Sequence, residues 1–244
     1  MSGAVLELVG LTKRFGGVTA VDGVSLTVPA GEVVALVGHN GAGKTTLVEL
    51  LSGALRRDAG EIRVNGDSVA LRSPREAQQA GIATLHQHLA LADNLDAVAN
   101  VFLGHERCTR IGLLDEDAME REVLELLARL SPGFGAVREP VSRLSGGQRQ
   151  LVAIARALRL DAKVLLMDEP TAALGPGERG RVTELVRRLT GDGLAILLVS
   201  HDLESALALA QRVAVMRRGR LVATRTSENL DAAALAALVV GGTD

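Results

Sequence analysis

The chain has 244 residues, 47% of them apolar, a net charge of −2, a single cysteine and no Tyr or Trp. That content suits one sizeable packed core or two small ones, and with no acidic or basic tail it argues against a general nucleic-acid binder. Cys108 has no partner for an internal disulfide, which fits a reducing cytosol, and neither the opening MSGAVLELVG nor the longest apolar run, Ala232 to Val240, has the make-up of a signal peptide or a membrane span.

In chain order, Val5 to Val9 reads as a strand, Leu11 to Gly17 as a loop, and Val24 to Val28, alternating as VSLTV, as a second strand. Pro29 to Glu32 turns into the apolar run Val33 to Val37, and Glu61 to Gly66 reads as a further strand ending in a turn. These predict an antiparallel element near the N-terminus. Pro74 to Ala80 has the length of a short helix, and Ile82 to Leu85 is a strand followed by His86-Gln87-His88. Periodicity then changes. Asp115 to Leu130 is the clearest helix, with Met119, Val123, Leu126, Leu127 and Leu130 on one stripe. Ser145 to Leu160 is another, with Leu151, Ile154, Ala155 and Leu158 on one face. Leu95, Val98, Val101 and Phe102 are expected in the core. Beyond them alternate the strand Val164 to Met167, the helix Glu178 to Leu189, the strand Leu194 to Val199 and the helix Asp202 to Gln211. Val213 to Met216 and Leu221 to Ala223 flank a hairpin turn at Arg217-Arg218-Gly219-Arg220, read as solvated, and Leu230 to Val240 closes as a helix. Buried strands alternating with helices predict an α/β fold whose parallel sheet is covered on both faces. Residues 88–160 form a helical insertion into a core of 1–87 and 161–244.

The run Val33 to Val37 delivers the chain to Gly38-His39-Asn40-Gly41-Ala42-Gly43-Lys44-Thr45, the full G-x-x-x-x-G-K-[ST] pattern, followed by Thr46 and an apolar helix. The glycines admit positive φ and a close backbone approach to phosphate. The turn's N–H groups form an anion nest and the helix adds its N-terminal dipole. Lys44 has the reach for β- and γ-phosphates, and the Thr45 hydroxyl can ligate Mg²⁺. Downstream, Val164-Leu165-Leu166-Met167 ends in Asp168-Glu169-Pro170. Acids at the C-terminal end of a parallel strand stand in the crevice where such sheets bind ligands. Asp168 is read as a Mg²⁺ ligand, and Glu169 as the group that polarises an attacking water.

Between these two motifs lies Leu144-Ser145-Gly146-Gly147-Gln148, extended by Arg149-Gln150 and Ala155-Arg156-Ala157-Leu158. With the P-loop before it and VLLMDEP after it, LSGGQ resembles the signature of the ABC ATPases, and the likeness runs across nearly the whole chain. The resemblance implies further roles. Phe15 matches the aromatic that stacks on adenine, and Gln87 the glutamine that senses Mg²⁺ and nucleotide and faces a transmembrane partner. His201 in Val199-Ser200-His201-Asp202 matches the switch histidine that contacts the γ-phosphate. It implies ATP and Mg²⁺ as ligands, and two such domains packed head to tail, each γ-phosphate lying between one P-loop and the other domain's Ser145, Gly146, Gly147 and Gln148. One departure stands out. Ala173-Leu174 is followed by Gly175-Pro176-Gly177-Glu178, with no carboxylate at the usual D-loop Asp position, as in the ATPases of bacterial importers of ribose, xylose, fructose and related monosaccharides.

The resemblance thus implies an ATPase subunit of a bacterial monosaccharide importer. Its partners are transmembrane permease subunits and, indirectly, a substrate-binding protein. It is expected in the cytoplasm, peripheral to the membrane, paired with a copy of itself or with a separate ABC subunit. Two other assignments stay open: an exporter or lipid-extraction ATPase, and a non-transport ABC ATPase acting on ribosomes or DNA, although the tandem domains, coiled coil or basic extensions of that last class are missing. His86 and His88 alternate at a strand end, and His105 lies near Cys108; in neither place is a metal-ligand cluster visible.

Overall fold

A computed structural model describes residues 4–86, 89–170 and 176–241. The chain opens with β1 (Ala4–Phe15) and β2 (Val18–Pro29), a long antiparallel hairpin closing at Phe15↔Val18. Residues Leu11 to Phe15, expected in a loop, therefore extend the strand. Leu6, Leu8 and Leu11 are all buried, but the pairing with β2 shifts register between Leu8 and Leu11, around Gly10 at φ 59°. That irregularity inserts a residue into the inward alternation and hides the strand from a period-two reading. After β3 (Val33–Val37) and α1 (Lys44–Leu51), β4 (Ala59–Val64) and β5 (Asp67–Ser68) join the hairpin in an antiparallel sheet of order β2-β1-β4-β5.

Next come α2 (Pro74–Gln79) and β6 (Ile82–Leu85). Three helices follow: α3 (Ala97–Phe102), α4 (Glu116–Leu130) and α5 (Gly146–Leu158). The chain returns to the sheet as β7 (Val164–Asp168), α6 (Pro176–Gly191), β8 (Ala195–Val199), α7 (Leu203–Leu209), β9 (Arg212–Arg217), β10 (Arg220–Thr226) and α8 (Ala232–Val240). The six-stranded sheet has the order β10-β9-β3-β8-β7-β6 and is parallel except for the β9–β10 hairpin.

The continuous apolar runs of β3, β7 and β8 have a direct cause. Each strand is buried on both faces, so both sets of alternate side chains meet a core. Val33, Ala35, Val37, Leu165 and Met167 join one apolar cluster with α3 to α8. Val34, Leu36, Val164 and Leu166 join a second with α1 and the antiparallel sheet. On α4 the expected stripe is buried at Met119, Val123, Leu127 and Leu130, while Leu126 is half-buried. Asp115 caps that helix by accepting from Ala118 N at 3.1 Å. Val98, Val101 and Phe102 are buried as expected, on the short α3.

Candidate functional site

Strand order builds the site. β8 lies between β3 and β7, and the register places Leu36 and Asp168 both opposite Val199. The C-terminal ends of three parallel neighbours therefore carry the glycine loop, Ser200-His201 and Asp168-Glu169 side by side, at the crevice where open α/β sheets bind ligands. A cavity of 520 Å³ opens there, lined by Asn40, Gly41, Gly43, Lys44, Thr45 and Thr46 from the loop and by Asp168 and Glu169.

The loop is held firmly by protein groups. Gly43, at φ 105°, caps α1, and a Cβ there would lie 2.2 Å from the Ala20 carbonyl oxygen. A Cβ on Gly38 would meet the Met216 carbonyl oxygen equally closely, at 2.2 Å. At these two positions the backbone presses on β2 and β9, a reason for glycine additional to phosphate approach. Ala42 is buried, whereas His39 and Asn40 are exposed. Lys44 is only 8% exposed, and its Nζ donates to the carbonyls of Gly38 at 2.6 Å and His39 at 3.0 Å. Burial lowers its pKa, and the charges of Glu169 and Asp168 oppose that shift. Asp168 moves the other way: burial, then the neighbouring Glu169, raise its pKa against the pull of His86 and Lys44. Glu169 sits at φ 51°, a left-handed conformation rare outside glycine. Its N–H donates to Val199 O at 2.9 Å, and its Oε1 lies 2.5 Å from His201 Nδ1.

Not every expected residue converges here. Phe15 is 48% exposed at the end of β1, with Lys13 Nζ 5.4 Å from its ring centroid. Ser145 caps α5 in a reciprocal box: Gln148 N donates to Ser145 Oγ at 3.3 Å and Ser145 N to Gln148 Oε1 at 2.9 Å. Ser145, Gly147 and Gln148 line a different cavity, of 540 Å³, beside Phe134 and Arg181, and Gly146 starts the helix. Gln87, His88 and the D-loop residues through Gly175 lie outside the described residues. No cluster of three or more metal-ligating side chains occurs among the described residues, and Cys108 is exposed.

Two features escaped the sequence. The Arg217–Arg220 turn is more than a solvated loop: Gly219 N donates to Ala42 O at 2.9 Å, and Arg218 lines the glycine-loop cavity. Nothing local to that hairpin announces the contact. Arg156 on α5 donates to the carbonyls of Leu89 and Ala90, both at 2.7 Å, anchoring the chain just after Gln87. Its neighbours in sequence are apolar and small, which marks the helix face and not the partner.

A glycine loop between strand and helix, with two carboxylates at the same edge of the sheet two strands away, defines a P-loop nucleotide-binding protein of the α/β class. The ABC transporter family matches residues 21–172, and the chain belongs to it. It is 45% identical over 238 residues to ribose import ATP-binding protein RbsA 2 of Rubrobacter xylanophilus, covering 97% of this chain and 46% of that protein. A putative ribose/galactose/methyl galactoside import ATP-binding protein of Burkholderia ambifaria is 41% identical over 239 residues, 98% of this chain and 46% of its own length. The chain thus spans about half the length of the curated relatives it matches. Among solved structures, an ATP-binding cassette of an ABC transporter in its ADP conformation superposes with a TM-score of 0.83 at 26% identity, over 99% of this chain and 96% of the other. A dimeric post-hydrolysis cassette bound to ADP and Pi gives 0.75 at 25% identity, over 92% and 100%. No helix among the described residues is long and apolar enough to cross a membrane.

Proposed function

We propose that this chain binds and hydrolyses ATP to power a bacterial monosaccharide importer, ribose being the favoured class of cargo. The observation that carries the reading is the convergence of Lys44, Thr45, Asp168 and Glu169 on one cavity at the ends of β3 and β7, the strands on either side of β8. The names of the relatives support import of ribose or related sugars. The site suits a divalent cation as well. Asp168 and Glu169 are adjacent carboxylates, Asp168 is partly desolvated, and the Thr45 hydroxyl lines the same cavity, so hard oxygen donors and surplus negative charge meet there. Thr45 and Asp168 would hold Mg²⁺ there, and the ion would supply positive charge that offsets the charge developing on the phosphates.

In this reading Lys44 and the loop amides hold the phosphates. Glu169 accepts a hydrogen bond from the attacking water and takes its proton as the water oxygen bonds to the γ-phosphorus and the bridging bond to the β-phosphate breaks. His201 holds Glu169 Oε1 before nucleotide arrives and then turns to the γ-phosphate. Phe15 offers its exposed ring to adenine, and Gln87 would respond to the metal. Ser145 to Gln148 serve the other domain's nucleotide, a role supported by Ser145, Gly147 and Gln148 lining a separate cavity. The second domain in the simplest arrangement is another copy of this chain. The permease would dock in a 320 Å³ groove between β6 and the inserted helices, walled by Val101, Leu103, Arg156 and Arg159. Phosphate release by folded protein tests the reading. Lys44→Ala should abolish turnover because it removes the charge that meets the β- and γ-phosphates, and turnover at the parent rate would refute it.

A further inference from the structure

Gln150 lies in the second turn of α5, the helix that Ser145 caps, and is 4% exposed. Its Nε2 donates to the carbonyl of buried Pro170 at 3.0 Å. Its Oε1 is buried and has no hydrogen-bond partner among the described residues. A half-satisfied amide in a core costs stability relative to an apolar side chain of similar size. Its presence therefore points to a role other than holding the fold.

The carbonyl it holds is well placed for such a role. Pro170 directly follows Glu169, whose left-handed backbone survives only where surrounding contacts over-determine it. Val199 O fixes the Glu169 N–H and His201 meets its carboxylate. The Gln150 bond fixes the chain on the far side of the same residue.

We infer that Gln150 is a positioning residue through which the signature helix sets Glu169, linking the half-site that α5 offers to a second domain with the carboxylate that serves this domain's own ATP. This rests on the hydrolytic reading above. When Ser145 and the start of α5 engage the facing γ-phosphate, any shift of the helix carries the Gln150 amide, and with it Pro170 and the backbone of Glu169. Nucleotide contacts are untouched, because Gln150 does not line the cavity that holds Lys44 and Thr45.

The test compares Gln150→Leu and Gln150→Glu with the parent, reading kcat, KM for ATP, ADP affinity and melting temperature. Gln150→Leu should lower kcat by about tenfold or more and leave KM within about twofold, the signature of a lost transition-state arrangement. Gln150→Glu cannot donate to Pro170 while ionised. Burial raises the pKa of such a carboxyl, so its turnover, relative to the parent, should recover as pH falls, and that of Gln150→Leu should not. A purely structural role predicts loss of melting temperature in both variants with no selective pH recovery. Should Gln150→Leu fail to fold, the pH profile of Gln150→Glu decides alone. Parent-like kcat in both variants, with the parent active, overturns the role of Gln150 and leaves the hydrolytic reading standing. A parent that turns over no ATP overturns both.

Discussion

Gly43 and Gly41 stand two residues apart in one loop, yet the structure assigns them different penalties for a methyl group. Gly43 has φ 105° and ψ 4°, and a Cβ there would sit 2.2 Å from Ala20 O and 2.8 Å from Met216 Cε. Left-handed strain costs about 1–2 kcal/mol, and forcing a methyl into packed surroundings adds about 1–3 kcal/mol. Gly43→Ala should therefore lose roughly 2–5 kcal/mol. Gly41 has φ 80° with nothing within 4 Å of its Cβ position. Gly41→Ala pays the strain alone, partly offset by about 0.4–1 kcal/mol from a stiffer unfolded chain. At about 2–4 °C per kcal/mol for a chain of this size, Gly43→Ala should melt on the order of 10 °C below the parent, and Gly41→Ala within a few degrees of it. Thermal unfolding of nucleotide-free protein followed by circular dichroism measures both. Equal midpoints for the two variants would refute the claim that the loop's fit against β2 and β9 is what demands glycine at Gly43.

The raised pKa of Asp168 makes a pH prediction. A carboxyl whose folded pKa exceeds its unfolded value binds its proton more tightly in the native state, so stability falls as pH rises from the unfolded pKa through the folded one. Asp168→Asn should therefore stabilise nucleotide-free protein at neutral pH, with a gain that shrinks toward about pH 4; a gain that instead grew on acidification, followed by calorimetry, would show the sign to be wrong. Asn100, fully buried on α3, accepts from Ala92 N and donates to the carbonyls of Ala92, Leu95 and Asp96. Asn100→Leu should cost about 1–3 kcal/mol, chiefly by leaving the Ala92 N–H unpaired, since the three carbonyls keep the N–H groups of Leu95, Val141 and residue 100; a denaturation midpoint unchanged from the parent would mean that the Ala92 N–H finds another partner.

How much of this was legible depended on whether the signal was local. Val33 to Val37, Val164 to Met167 and Leu194 to Val199 stood out because a strand buried on both faces leaves no polar alternation to confuse. The Gly38–Thr45 loop was legible because phosphate binding fixes residue type and spacing within one turn. β1 past Val9 was not, because the shift around Gly10 breaks the alternation. α3 is short and carries Asn100 on its inward side, so no apolar period announces it. Arg218 reaches the glycine-loop cavity and Gln150 reaches Pro170 across long sequence separations. Strand order decides such contacts, and the sequence does not spell out that β8 inserts between β3 and β7.

The central claim is that two such domains close around ATP and that Glu169 breaks the bond that keeps them closed. Glu169→Gln keeps the side chain's size and removes its charge, so nucleotide binding through Lys44 and Thr45 should survive while hydrolysis nearly stops. With Mg-ATP this variant should move from monomer to dimer on a sizing column with light scattering, and with Mg-ADP it should not. Adding Ser145→Arg should keep it monomeric, because the long side chain fills the place of the facing γ-phosphate. Glu169→Gln protein that stays monomeric with Mg-ATP at high concentration, or that releases phosphate at the parent rate, would contradict the account.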